Sequence, residues 1–173
     1  MKQGIAESLH NDVFYHNDPL ASVVLIGKPD ESWIMVNAGT ADSGPELLNV
    51  VESRYGQDNR PDYIVLTDAH PDHVGGLRYL LEKWQVPVYA HINEFRFLNG
   101  SSTYPLPATF FENGLLTDFL SVFMRPAVNV AAYLRPLPHH GKLPGLPEWD
   151  WITTPGETGG QVSLFRSSDG ILI

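Results

Sequence analysis

Residues 62–67, DYIVLT, follow Pro61 and run straight into DAHPDHVGG at 68–76. A short apolar run bounded by proline and a polar turn reads as a strand buried on both faces. The turn then places two Asp and two His between Asp68 and His73 and closes on Gly75 and Gly76. This combination constrains the fold. The strand must lie inside a sheet, ligating side chains gather at its C-terminal end, and the glycines let the next helix start close by.

The flanking sequence agrees. Residues 21–27, ASVVLIG, and 32–37, SWIMVN, read as strands separated by the turn KPDE. SGPELLNVVESRYG reads as a helix with Ser43 and Glu46 at capping-box spacing. Leu47, Val50, Val51 and Tyr55 share one face of it, and Gly56 closes it. A second helix is expected from about Val74 to Trp84, then a strand at 86–90. The first half is therefore strand, strand, helix, strand, turn, helix, strand. Residues 99–110 are turn-rich, and 112–125 read as a helix. The Pro-rich stretch from 126 to 149 is expected to be a functional loop or lid. Strands return at DWITT, QVSLF and GILI.

In the central turn, imidazole and carboxylate are the usual ligands of zinc and its divalent neighbours. Asp68 and His70 are two apart and face one side of an extended backbone. Asp72 and His73 follow the bend at Pro71 and can serve a second position. A solvated polar turn, with Asp72 capping the helix, would explain any one of these residues. The full pattern D-x-H-x-D-H-x-G-G after a buried strand points to metal binding instead.

TDAHPDHVGG resembles the T-H-x-H-x-D-H-x-G-G signature of the metallo-β-lactamase superfamily, with Asp68 at its first His. TTPGETGGQVSLF, 153–165, resembles the same family's T-P-G-H-T-x-G segment, with Glu157 at the His. IMVNAGT, 34–40, resembles its V-D-x-G strand end, with Asn37 at the Asp. The resemblance implies a four-layer αββα sandwich, of which one domain spanning 1–173 is the N-terminal portion. It implies one metal held by Asp68, His70 and Glu157. Asp72 and His73 hold a second metal, or Asp72 orients the attacking water. It further implies a metal-dependent hydrolase using metal-bound hydroxide on an ester, lactone, thioester or related bond. Zinc is the family's metal. The two carboxylates substituted for imidazoles shift the preference toward Mn or Fe and give the site a more anionic character. The competing expectation is a non-catalytic scaffold of the same fold, a pseudoenzyme whose impaired site is left unfilled. The family's later bridging Asp and final His have no counterpart by Ile173. The chain is therefore expected to be C-terminally incomplete, with 160–173 pairing with a second copy as a homo-oligomer or with a remaining C-terminal part.

Composition narrows the partners. Net charge is −9, and no Lys/Arg cluster is present. This argues against nucleic acid and anionic membranes and for a small-molecule substrate. The absence of cysteine excludes disulfides and thiolate sites. MKQGIAESLH lacks a signal-peptide core, so a cytoplasmic location is expected. His139 and His140 sit in a Pro/Gly loop and read as exposed. His91 reads as a helix start, and Trp149 and Trp151 as strand packing. Tyr104, Phe110, Phe111, Phe119 and Phe123 read as packing residues that could also line an apolar pocket.

Overall fold

The structure, a computed structural model, describes residues 5–18, 21–104, 128–156 and 158–173. Among the described residues the first sheet has seven strands in chain order: β1 (Ile5–His10), β2 (Val13–Asp18), β3 (Ala21–Ile26), β4 (Ile34–Val36), β5 (Ile64–Val65), β6 (Val88–Ala90) and β7 (Leu134–Pro136). β1 to β4 pair antiparallel, and β4 to β7 pair parallel. The second sheet is antiparallel in the order β11 (Ile171–Leu172), β10 (Val162–Arg166), β9 (Leu146–Thr153), β8 (Lys142–Leu143).

Side-chain alternation explains the continuous apolar runs. Val23, Leu25, Met35, Ile64 and Leu66 face a core shared with the helices. Val24, Ile26, Ile34, Val36 and Val65 face a second core shared with Trp149, Val162 and Leu164 of the second sheet. The first sheet is thus covered on both faces, and its central strands carry no polar face. Helices α1 (Gly44–Tyr55), α2 (Pro71–Val74), α3 (Leu77–Trp84) and α4 (Phe95–Leu98) all contribute to the first core. Trp33 anchors it, stacked on Tyr55 at 4.1 Å and edge-on to Trp84 at 6.3 Å.

Three sequence expectations need correction, and one hairpin carried no expectation. The β1–β2 hairpin is that one: its apolar run, Val13 to Tyr15, is only three residues long and is flanked on both sides by polar residues. Ser43 does not cap α1 through its side chain. Its hydroxyl accepts from the Thr40 amide at 3.0 Å, closing the preceding turn instead. The helix expected from Val74 to Trp84 is two helices, α2 and α3, interrupted at Gly75–Gly76. The stretch read as a lid from 126 to 149 contributes β7, β8 and the start of β9 over its described part. The helix expected at 112–125, with Phe110, Phe111, Phe119 and Phe123, lies outside the described residues. Trp149 is fully buried, as its strand reading implied. His91 does start a helical turn, its ring accepting from the Asn93 amide.

Arg166 ties the second sheet to the β1–β2 turn. It is buried and lies 4.8 Å over the Trp149 ring. Its guanidinium donates to both Asp12 oxygens and, at 2.7–3.1 Å, to both Asp169 oxygens. The Arg166 hydrogen bond, working against burial, holds the Asp12 carboxyl at about 2 rather than 3.8. The folded state therefore releases this proton more readily than the unfolded chain. The stabilisation is complete above about pH 4 and lost as pH falls toward 2. Asp12→Asn is expected to cost about 1–2 kcal/mol at pH 7, toward the low end for a charged hydrogen bond because a quarter of the Asp12 side chain is exposed. Urea unfolding should show that difference shrinking between pH 4 and pH 2. A pH-independent difference would refute the assignment.

Candidate functional site

The central turn starts where β5 ends. Asn37, at the end of β4, has positive φ (61°), which asparagine tolerates well. Its buried Oδ1 accepts from the Thr67 amide at 3.0 Å and the Thr67 hydroxyl at 3.2 Å. This fixes the strand end from which Asp68 and its neighbours project.

The glycines set how closely α2 lies against the loop after β4. Ala38 donates to the His73 carbonyl at 2.7 Å, and Gly75 donates to the Gly39 carbonyl at 2.8 Å. A Cβ on Gly75 would lie 2.2 Å from the Ala41 nitrogen, and one on Gly76 would lie 2.3 Å from the Ala38 oxygen. Only glycine fits at either position, so the two glycines of the motif are a packing requirement.

Asp68, His70, Asp72 and His73 come together as two linked carboxylate–imidazole pairs. His73 Nδ1 lies 2.6 Å from Asp68 Oδ1 and 3.3 Å from the Thr67 hydroxyl. His70 Nδ1 pairs with Asp72 Oδ1. His73 Nε2 is 3.8 Å from Asp72 Oδ2, which joins the pairs. A carboxylate only accepts, so each paired Nδ1 must carry a proton. In the neutral rings the lone pairs then sit on Nε2. Asp68 is nearly buried and also accepts from the His70 amide at 2.9 Å. The other three side chains are 15–23% exposed. Burial raises the Asp72 carboxyl, but the hydrogen bond from His70 and the nearby His73 and His70 rings outweigh it. The net shift is downward, keeping Asp72 ionised.

Two imidazoles and two carboxylates suit a divalent first-row ion in kind. The sequence groups Asp68 with His70, whereas the hydrogen bonds group Asp68 with His73. Among the described residues no three such side chains are arranged as a ready cage; they are engaged with one another. Glu157 itself lies outside the described residues. The backbone around it does reach the turn: Val162 donates to the Thr67 carbonyl at 2.8 Å.

Sequence reasoning missed Glu94. It is completely buried, and its carboxylate accepts from the Ala69 amide at 3.0 Å and the Thr158 hydroxyl at 2.6 Å. A single Glu in HINEF has no spacing signal that could have marked it.

The model of the metallo-beta-lactamase superfamily matches residues 17–173. The chain belongs to that superfamily. It is 35% identical over 156 residues to the probable metallo-hydrolase YflN of Bacillus subtilis (strain 168), covering 89% of this chain and 59% of that protein. A shorter match, 42% identical over 45 residues, is to the probable metallo-hydrolase YybB of the same organism, covering 26% of this chain and 20% of that protein. The fold matches MEM-A1, a subclass B3 metallo-beta-lactamase from a soil metagenome library, with TM-score 0.69 and 21% identity, over 96% of this chain and 60% of that one. It also matches BJP-1, a subclass B3 metallo-beta-lactamase of Bradyrhizobium japonicum, with TM-score 0.69 and 20% identity, over 93% of this chain and 56% of that one. The fold is thus the one expected from the motifs, with the two packed sheets and the first helical layer of the αββα sandwich present among the described residues, and the superfamily is one of metallo-hydrolases. The chain spans about 59% of the curated relative's length. No described helix is long and apolar enough to cross a membrane.

Proposed function

We propose that this chain carries the metal-holding portion of a hydrolase acting on an ester, lactone or thioester. The observation that supports it is the pair of carboxylate–imidazole couples at the end of β5, in a chain of this superfamily. Asp68, His70 and Glu157 would hold one divalent ion, and Asp72 and His73 a second. The ion would supply an activated water and polarise the substrate carbonyl. Alternatively Asp72, ionised and hydrogen-bonded to His70, would orient the attacking water instead of holding an ion. The Asn37–Thr67 hydrogen bonds hold the strand end that presents these groups. Beside them is a cavity of about 830 Å³, walled by Ala69, Pro71, Val74, Phe97 and Tyr104. Its wall is mostly apolar, with Arg78, Glu82 and Asn129 among the lining. None of Asp68, His70, Asp72 and His73 lines it, and its link to them is the Tyr104 ring, which meets His70 edge-on at 5.1 Å, so it would take the acyl part of a small substrate at the edge of the site.

One observation favours a second reading. Asp68 is committed to His73 and the His70 amide, as it would be in a fold that has relinquished its metal. Metal analysis of protein purified without chelator separates the two readings. The hydrolase reading expects bound Mn, Fe or Zn, with ester hydrolysis falling by about 10³-fold or more in His70→Ala. A metal-free wild type, inert to esters and lactones even with Mn(II) added, would establish the second reading.

A further inference from the structure

Glu94 ends the short 3₁₀ turn Ile92–Glu94 that follows β6. Both its carboxylate hydrogen bonds leave its own element. One goes to Ala69, between Asp68 and His70; the other goes to Thr158, the residue after Glu157. Its neighbour Asn93 reinforces the second link by donating to the Gly159 carbonyl at 3.3 Å. The Thr158 segment is itself shaped to admit the carboxylate, since a Cβ on Gly160 would lie 2.3 Å from Glu94 Oε1, the oxygen that accepts from Thr158. Gly160 is the last glycine of the TPGETGG segment, so the glycine of that motif makes room for this acid.

A fully buried carboxylate is an expensive way to gain stability, and an apolar side chain of similar volume commonly serves as well. Its two acceptors do something an apolar side chain cannot. They hold two segments, remote in sequence, at a fixed separation. We propose that Glu94 is a positioning residue: it clamps the segment carrying Asp68 and His70 to the segment carrying Glu157, and so sets the geometry in which their side chains can share an ion. This rests on the metal reading above for its consequence, but not for the clamp itself.

The test compares Glu94→Ala, Glu94→Gln and Thr158→Val with wild type in two measurements. The first is Mn(II) affinity, read from the free-ion EPR signal. The second is amide hydrogen exchange of peptides covering 67–73 and 158–162 in metal-free protein. Glu94→Ala should weaken Mn(II) binding by about 10–100-fold, the range for loss of a group that orients ligands. It should also speed exchange in both peptides together. Glu94→Gln should stay within about threefold, because its amide oxygen can accept from Ala69 while its amide nitrogen donates to the Thr158 hydroxyl. Thr158→Val should show a smaller loss with the same paired exchange. Should Glu94→Ala not fold, Thr158→Val and Glu94→Gln decide the matter. Wild-type affinity and exchange in Thr158→Val would overturn the proposal, as would Glu94→Gln failing as badly as Glu94→Ala. A wild type that binds no Mn(II) would count against the metal reading alone. Exchange then decides for Glu94: faster exchange in both peptides supports the clamp, and faster exchange in one or neither refutes it.

Discussion

Gly75→Ala is expected to destabilise the protein by about 3 kcal/mol or more, the upper range for overpacking a rigid contact. Gly75 has an ordinary helical φ of −61°, so backbone strain is not the cause. In an open helix, alanine there would even be favoured by about 1 kcal/mol. The opposing term is contact. The new Cβ would lie 2.2 Å from the Ala41 nitrogen and 2.4 Å from the Thr40 carbonyl carbon. Both are backbone atoms, so no rotamer change relieves the clash. The loop after β4 and α2 must separate, breaking the Gly75–Gly39 and Ala38–His73 hydrogen bonds. Gly145→Ala is the control. Gly145 has φ of 75° with nothing within 4 Å, so it should cost only the left-handed penalty of about 1–2 kcal/mol. Urea unfolding of both variants checks this. Equal midpoints would mean that the motif glycines are not there to admit the loop. Because α2 carries Asp72 and His73, Gly75→Ala should also weaken any metal binding.

The contrast between these two glycines shows what the sequence could convey. The motif named Gly75 and Gly76 and placed them after a buried strand. It did not reveal that their partners are the backbone of residues 38–41, because close approach between distant segments has no local signature. The strands around 23–26 and 64–65 were readable because both their faces are buried there, which produces unbroken apolar runs. The β1–β2 hairpin was not readable, and β7, LRP, is too short and too polar to stand out. At the candidate site, residue types and spacing singled out Asp68, His70, Asp72 and His73, which the fold does bring together. They could not convey which carboxylate pairs with which ring, since that depends on side-chain rotation at a bend. Glu94 was hidden for a related reason: its meaning lies in two partners 25 and 64 positions away.

The exchange of imidazole for carboxylate at 68 and 157 leads to the other large effect. Asp68→His with Glu157→His is expected to raise zinc affinity at least tenfold, equivalent to about 1.4 kcal/mol, and to reverse any preference for Mn(II) over Zn(II). Two neutral nitrogen donors would replace two hard anionic oxygens, which favours zinc over manganese. On the metal reading proposed above, the mutual repulsion of Asp68, Asp72 and Glu157 would also fall. Asp68→His alone should gain less. It forfeits the bond from the His70 amide and releases His73 from its 2.6 Å partner, so part of the ligand gain is spent on losing order in the turn. Competition against a zinc chelator measures both variants, and Mn(II) titration gives the ratio. Unchanged zinc stoichiometry and affinity in the double variant would mean that positions 68 and 157 do not face a common ion. The Asp68–His73 pair would then be the working arrangement of this turn, and the site would have to act through its carboxylate–imidazole couples.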